Sequence, residues 1–208
     1  MVTETHSQTD KRACGVEKVK GEPKDARSPV LIVVMGVSGT GKSTLGSALS
    51  KELRIPFVEG DDLHPKSNVD KMSAGIPLND SDREPWLKLI RATAEQLIVE
   101  QQNQKTLKEA DEDNLRGVVV GCSALKRYYR DILRGKENAS SEKASLPQEL
   151  KPNLENIPTF FVFIDGPQPL LYDRMEKRPG HFMKASMLDS QLATLEKPIG
   201  EEGVVVVS

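Results

Sequence analysis

The residues best suited to chemistry lie in one octet, Gly36–Ser43, which fits the pattern G-x-x-x-x-G-K-[S/T] without a gap. An apolar run at 29–35 precedes the octet and a helical pattern of leucines and alanines follows it, so a buried strand, a glycine loop and a helix are expected in series. Main-chain N–H groups of such a loop converge on phosphate oxygens, and the helix N-terminus adds positive potential. This segment, called the phosphate loop below, predicts an ATP site in which Lys42 reaches the β- and γ-phosphates and Ser43 ligates Mg²⁺. The predicted ATP-binding residues are Gly36, Val37, Ser38, Gly39, Thr40, Gly41, Lys42, Ser43 and Thr44.

An acidic segment at 59–64 follows the second predicted strand, at 54–59. Since ligands bind at the carboxyl ends of parallel strands, this segment should lie beside the phosphate loop. A carboxylate there could accept a hydroxyl proton or hold Mg²⁺, and the alternative is an acidic turn that caps a helix. His64, at the end of the segment, either contacts substrate or makes a structural hydrogen bond.

Three basic groups could hold an anionic substrate. Arg83 lies in a segment that could simply be a helix start, with Asp82 as N-cap and Pro85 in the first turn. That interpretation does not explain Arg83, whose planar guanidinium could bind a carboxylate. Lys126 and Arg130 are spaced i, i+4 on one helix face, which could otherwise be a solvated basic face. The basic turn at 174–184, with Arg178 and His181, predicts a lid that brings arginine to the γ-phosphate; the alternative is a basic surface stretch.

Three other residues are expected to have structural roles. Cys122 is expected to be a small buried residue without a catalytic role. Trp86 fits the core better than a stacking platform, and Asp165, although it ends the fourth strand, fits a turn better than a metal ligand.

Strands alternate with helices along the chain, which predicts an α/β fold with a parallel sheet covered on both faces. Strands are expected at 29–35, 54–59, 117–121, 159–164 and 203–207, and helices at about 68–74, 84–104, 126–134, 168–177 and 185–195. Pro56 predicts that the second strand is short or lies at an edge.

Composition excludes several functional classes. The 208 residues carry a net charge of −2 and two cysteines, which argues against nucleic-acid binding and against a disulfide framework. Neither a signal peptide nor a membrane-length apolar run is present in the sequence, so a cytoplasmic protein is expected. We predict a disordered tail at 1–28 and a single domain at 29–208, with a flexible insertion at 135–157 and a lid region at about 168–195.

The combination of segments resembles gluconokinases of the thermoresistant type, a family of small P-loop kinases. The resemblance runs from about 31 to 207 and rests on the motifs at 35–43, 59–65, 68–80, 82–86, 122–131, 180–182 and 187–188.

The resemblance implies phosphorylation of D-gluconate by ATP with Mg²⁺, a fold like that of nucleoside monophosphate kinases with strand order 2-3-1-4-5, and a homodimer. By analogy with shikimate kinase, Asp61 would contact the acceptor hydroxyl and Glu59 would lie nearer the metal. The implied catalytic residues are Lys42, Asp61 and Arg178; the implied substrate residues are Asp61, His64, Arg83, Lys126, Arg130 and His181; and the implied metal ligands are Ser43 and Glu59. The alternatives are another small-metabolite kinase, similar to shikimate kinase, and a nucleotide-binding module with impaired catalysis.

Two departures from the family pattern bear on this expectation. Glu59 stands where relatives often have Asp, and the extra methylene would move the carboxylate by about 1 Å. Relatives also continue beyond the fifth strand into a loop that helps to hold adenine and a terminal helix, whereas this sequence stops at Ser208. We therefore expect one face of the sheet to be exposed.

Overall fold

The computed structural model describes residues 28–105, 115–136, 157–177 and 185–208. Five parallel strands form one sheet in the order β2-β3-β1-β4-β5, which confirms the predicted topology. The strands are β1 (Val30–Met35), β2 (Phe57–Glu59), β3 (Gly117–Gly121), β4 (Thr159–Ile164) and β5 (Val204–Val207). β2 is both short and at the sheet edge, as Pro56 predicts.

Helices cover both faces of the sheet. They are α1 (Lys42–Leu53), α2 (Lys66–Ser73), α3 (Asp80–Lys105), α4 (Arg127–Leu133), α5 (Gln168–Lys177) and α6 (Ala185–Thr194), and a short 3₁₀ helix occupies Gly60–Leu63. Leucines of α1 pack on one face, while α3, α4, α5 and α6 contribute to the larger core on the other face. Every residue of β3 is buried, because a central strand between two helical layers has no solvated side.

The start of α3 differs from the prediction. The helix begins at Asp80, about four residues earlier than expected, and Pro85 falls inside it. Asn79 Oδ1 accepts a hydrogen bond from the Asp82 N–H at 2.9 Å, and Asp82 Oδ2 accepts one from the Asn79 N–H at 3.0 Å. This reciprocal pair is a capping box, so Asn79 is the N-cap and the prediction of Asp82 in that role is wrong.

A buried arginine joins three elements of the larger core. The Arg91 guanidinium, on α3, donates to the Leu133 carbonyl oxygen at the end of α4 and to the Thr159 hydroxyl on β4. Because a buried guanidinium must satisfy its donors, these contacts fix α3 and α4 relative to the sheet.

The β4–β5 edge exposes apolar side chains on the face that carries α1. Phe160 and Val205 lie on this face and are 45% and 58% exposed. Among the helices that the structure describes, none combines the length and the apolar character that crossing a bilayer requires. The predicted tail and nearly all of the predicted insertion fall outside the described residues.

Candidate active site

The phosphate loop links β1 to α1 and is braced by its own side chains. Gly39 and Gly41 have φ angles of +82° and +96°, a region that glycine enters without steric cost. The Thr40 hydroxyl donates to the Val37 carbonyl oxygen at 2.8 Å, and Lys42 Nζ donates to the same oxygen at 3.2 Å. The loop therefore has the backbone shape that presents main-chain N–H groups to an anion, with a lysine at the start of the helix.

Glu59, the last residue of β2, lies beside the first turn of α1. Burial raises the pKa of the Glu59 carboxyl, while a hydrogen bond from the Ser43 hydroxyl opposes that rise. A side chain at Gly121, the β3 partner of Glu59, would place its Cβ 2.9 Å from Glu59 Oε1, so a glycine there makes room for the carboxylate.

The donor set at Ser43 and Glu59 fits a hard cation. One hydroxyl and one carboxylate oxygen suit Mg²⁺, which takes its remaining oxygen ligands from phosphates and water. Within the described part of the chain no group of three or more His, Cys, Asp or Glu residues could hold a metal by itself.

A cleft of about 280 Å³ opens beside the phosphate loop and brings five of the predicted site residues together. Lys42 from α1 and Asp61 from the 3₁₀ helix line the same cleft, together with His64 and Arg83. The lining residues are Ser38, Lys42, Asp61, Asp62, His64, Val69, Met72, Leu78, Arg83, Trp86, Ser123, Met187 and Gln191. Cations and carboxylates thus face one small volume, which suits a substrate that carries both an anionic group and hydroxyls.

His64 and Trp86 form a stacked pair in the wall of the cleft. Their ring centroids are 4.0 Å apart with an interplanar angle of 17°, and Trp86 Nε1 donates to the Gly60 carbonyl oxygen at 2.7 Å. Burial lowers the pKa of the His64 imidazole to about 4, so the ring is neutral near pH 7. Trp86 therefore combines the buried position that we predict with a platform for a site residue.

Arg83 reaches the cleft from the first part of α3. It is largely buried, and its guanidinium donates to the Tyr129 hydroxyl at 3.4 Å. The Tyr129 hydroxyl in turn donates to the Asp80 carboxylate. Tyr129 therefore orients the Arg83 guanidinium on the side away from the cleft, and the other side of the guanidinium faces the cleft.

Lys126 has a different position from the one predicted. Its Nζ lies 2.8 Å from both carboxylate oxygens of Asp80, and its hydrogen bond holds the pKa of Asp80 below its usual value, with a further contribution from Tyr129. Lys126 does not line the cleft. It joins the loop after β3 to the start of α3, next to the cleft wall.

Arg130 lies in the core rather than in the cleft. Its side chain is 0% exposed, and it forms an ion pair with Glu201. The guanidinium also donates to the main-chain oxygens of Ala124 and Leu125, at 2.9 and 3.2 Å. These contacts contradict direct binding of substrate by Arg130. The arginine instead holds the loop in which Ala124 adopts a φ angle of +44°, next to the cleft residue Ser123.

The remaining predictions concern Thr44, two residues of the lid region and Cys122. Thr44 lies exposed in the first turn of α1, whereas Arg178 and His181 lie outside the described residues. Cys122 is buried, as predicted, and burial raises the pKa of its thiol to about 12.

Two contacts to the phosphate loop were not predicted. The Gln191 side-chain oxygen, on α6, accepts a hydrogen bond from the Ser38 main-chain N–H at 2.7 Å, and Arg174 on α5 donates to the Gly39 carbonyl oxygen at 3.1 Å. Arg174 belongs to the basic turn that the sequence singles out, but a glutamine within an amphipathic helix carries no mark of such a contact.

Comparison with known proteins identifies the family. A family model described as an AAA domain matches residues 32–151. The gluconokinase of Gluconobacter oxydans (strain 621H) is 44% identical over 180 residues, which cover 86% of this chain and 83% of that protein. The thermoresistant gluconokinase of Escherichia coli (strain K12) is 36% identical over 177 residues, covering 85% and 82%.

A solved structure agrees with these relatives. The crystal structure of a gluconokinase from Sinorhizobium meliloti 1021 matches with a TM-score of 0.62 at 43% identity, covering 87% of this chain and 83% of that one. The fold is that of a P-loop kinase, and at this level of identity over most of its length the chain belongs to the gluconokinase family.

Proposed function

We propose that this protein transfers the γ-phosphoryl group of ATP to D-gluconate, giving ADP and 6-phosphogluconate, in the cytoplasm. The observation that carries the proposal is the shared cleft of Lys42 and Asp61, because phosphoryl transfer needs a phosphate anchor and an acceptor acid on either side of one reaction centre. Membership of the gluconokinase family supports gluconate as the acceptor.

The phosphate loop would hold the donor. Its main-chain N–H groups bind phosphate oxygens, and Lys42 exchanges its contact with the Val37 carbonyl for the β- and γ-phosphates. Ser43 and Glu59 would hold Mg²⁺, which offsets phosphate charge when it is bound. Arg178 would supply a further positive charge from the lid, with His181 beside it.

The acceptor would bind on the opposite side of the cleft. Asp61 accepts the proton of the reacting hydroxyl as that oxygen forms a bond to the γ-phosphorus, and the bond between the γ-phosphorus and the bridging oxygen to the β-phosphate breaks. Arg83 offers its planar fork to the gluconate carboxylate, and His64 contacts a substrate oxygen. Lys126 contributes through Asp80, behind Arg83.

A coupled assay of ADP release tests the proposal. Purified full-length chain is supplied with Mg²⁺, ATP and one acceptor at a time: D-gluconate, other sugar acids, neutral polyols, shikimate and nucleoside monophosphates. We expect gluconate to give the highest kcat/KM, with phosphorus NMR showing a phosphomonoester. Turnover of shikimate without gluconate turnover would contradict the substrate. Binding of an ATP analogue without turnover of any acceptor would contradict the enzyme and favour a nucleotide-binding module.

A further inference from the structure

A buried asparagine connects the start of α3 to the histidine of the cleft. Asn68, on α2, is only 2% exposed, although asparagine is usually a surface residue. Its side-chain nitrogen lies 2.9 Å from the Asp82 main-chain oxygen and 3.3 Å from His64 Nδ1. The proposed catalytic roles above do not use Asn68, so its burial beside the site needs a separate explanation.

The orientation of the Asn68 amide follows from its first partner. A main-chain carbonyl can only accept a hydrogen bond, so the Asn68 atom that faces Asp82 must be the –NH₂ group. The second N–H of that group is then available to His64 Nδ1. An amide nitrogen does not accept hydrogen bonds, and Nδ1 must therefore be the acceptor of this pair.

An accepting Nδ1 determines the protonation of the ring. In a neutral imidazole one nitrogen carries the proton and the other accepts, so the proton of His64 lies on Nε2. The stack on Trp86 fixes the ring plane, and the Trp86 hydrogen bond to Gly60 fixes Trp86. The ring is thus held in both plane and rotation.

The charges around His64 are consistent with a neutral ring. Burial has the largest effect and disfavours the protonated ring, as does the charge of Arg83 on α3. Together they outweigh Asp61 in the 3₁₀ helix, which favours the protonated ring, and lower the pKa to about 4. With Nδ1 occupied by Asn68, the ring has no lone pair to offer the cleft near neutral pH. It can donate a hydrogen bond there but cannot remove a proton, which is consistent with the role of base proposed for Asp61.

We propose that Asn68 is a positioning residue that fixes His64 in the Nε2–H tautomer, so that the cleft presents a neutral hydrogen-bond donor to an oxygen of a polyhydroxy acid. The inference rests on the proposed function for the identity of the ligand. The tautomer itself belongs to the free protein and can be observed without turnover.

Nitrogen NMR of the imidazoles tests the tautomer directly. The sequence contains three histidines, His6, His64 and His181, so long-range ¹H–¹⁵N spectra of the uniformly labelled full-length chain are simple. The signals of His64 are assigned by their loss in His64→Gln, or by elimination with His6→Gln and His181→Gln. We expect a protonated Nε2 and an unprotonated Nδ1 between about pH 7 and pH 5. A protonated Nδ1 or a rapidly averaging pair at pH 7 would overturn the proposal.

The role of Asn68 is tested by Asn68→Ala and Asn68→Asp, with Ser67→Ala on the exposed side of α2 as the matched control. We expect Asn68→Ala to give averaging tautomers, and Asn68→Asp, which replaces a donor by an acceptor, to favour a protonated Nδ1 and to raise the pKa of the ring. Spectra of both variants that match the wild type would overturn the proposal. If neither variant folds, the wild-type tautomer still tests the proposal, because a protonated Nδ1 could not accept from Asn68.

Kinetics then separate this inference from the proposed function. If gluconate is the acceptor, Asn68→Ala should raise the KM for gluconate about two- to tenfold, the value of one hydrogen bond, while the KM for ATP stays unchanged. An unchanged KM for gluconate with altered tautomers would overturn the role in acceptor binding. Failure of the proposed function would instead appear as no gluconate turnover in the wild type, with the His64 spectra as expected.

Discussion

Lys42 combines a defined position with a charge that ATP requires. Its Nζ rests on the Val37 carbonyl in the free protein and should move to the phosphates when ATP binds. We expect Lys42→Ala to lower kcat/KM by about 10³-fold or more, because the charge that stabilises the transferring group is lost. The measurement is the ADP-release assay at saturating gluconate.

Lys51 provides the matched control for Lys42. It is an exposed lysine on the same helix, α1, and Lys51→Ala removes the same charge away from the phosphate loop. Its kcat/KM should stay within about twofold of the wild type, since exposed surface substitutions have small effects. Equal losses in the two variants would mean that net charge, rather than the position of Lys42, controls the rate.

Asp61 should act on the chemical step rather than on ATP binding. Asp61→Asn keeps the shape of the side chain but removes the proton acceptor, so kcat should fall by about 10²- to 10⁴-fold. The KM for ATP should change little. Asp70→Asn, an exposed carboxylate on α2 that pairs with Lys66, is the control. A parallel loss of ATP affinity in Asp61→Asn would assign Asp61 to the nucleotide or metal instead.

Sequence alone could identify residues whose role depends on a local motif, and it failed where the role depends on distant partners. Lys42, Asp61 and His64 follow strand ends at known spacing, so their common location follows from parallel-sheet topology. The i, i+4 spacing of Lys126 and Arg130 is compatible with a substrate-binding face and with a buried face. Only the position of Glu201, 71 residues away, shows that the arginine is part of the core.

At the scale of elements, the loop after β3 owes its shape to α4 and to the turn before β5. Arg130 on α4 donates to two carbonyl oxygens of that loop while Glu201 neutralises its charge, and the pairing holds the pKa of Glu201 below its usual value. Removing Arg130 leaves the Ala124 and Leu125 carbonyl oxygens without this donor, while Glu201 keeps its ion pair with Arg134. We expect Arg130→Met to lower the free energy of unfolding by about 2–4 kcal/mol, measured by urea denaturation near pH 7.

The exposed pair of Lys66 and Asp70 gives the comparison for Arg130. Lys66→Met should change the free energy of unfolding by less than about 1 kcal/mol, because both side chains are solvated. If Arg130→Met had wild-type stability and a raised KM for gluconate, the original prediction that Arg130 binds substrate would be supported after all.

The elements themselves were largely predictable, and their differences have local causes. The strands β1, β3 and β4 are apolar runs whose bounds follow from composition. The early start of α3 comes from the capping box of Asn79 and Asp82, which satisfies helix N–H groups before the apolar periodicity begins. The contact of Gln191 with the phosphate loop depends on how α6 packs, and no periodicity contains that information.

At the scale of the whole molecule, the strand order places the functional segments. β1 lies between β3 and β4 with β2 beyond β3, so the loops after β1, β2 and β3 meet at one edge of the sheet, while α6 closes the cleft through Met187 and Gln191. The two sides of the cleft therefore come from segments that are far apart in sequence, and the cleft exists only in the folded chain.

Because burial lowers the pKa of His64 in the folded chain, we expect the free energy of unfolding to vary with pH. The folded pKa of about 4 lies below the ordinary value of 6.5, so the unfolded chain binds the proton more readily between these values. The contribution of His64 is fully present above about pH 6.5 and is lost as the pH falls toward 4. Carboxylates with lowered pKa values, including Asp80, Asp82 and Glu201, add a further loss only at lower pH.

Comparison of the wild type with His64→Gln isolates this contribution. Glu59, whose pKa is raised, acts in the opposite direction but is common to both proteins and cancels in the difference. Between about pH 7 and pH 5 the wild type should lose on the order of 1 kcal/mol more of its free energy of unfolding than the variant, as measured by urea denaturation at each pH. Parallel pH profiles for the two proteins would mean that His64 titrates alike in the folded and unfolded chain, and that the cleft wall leaves the ring solvated.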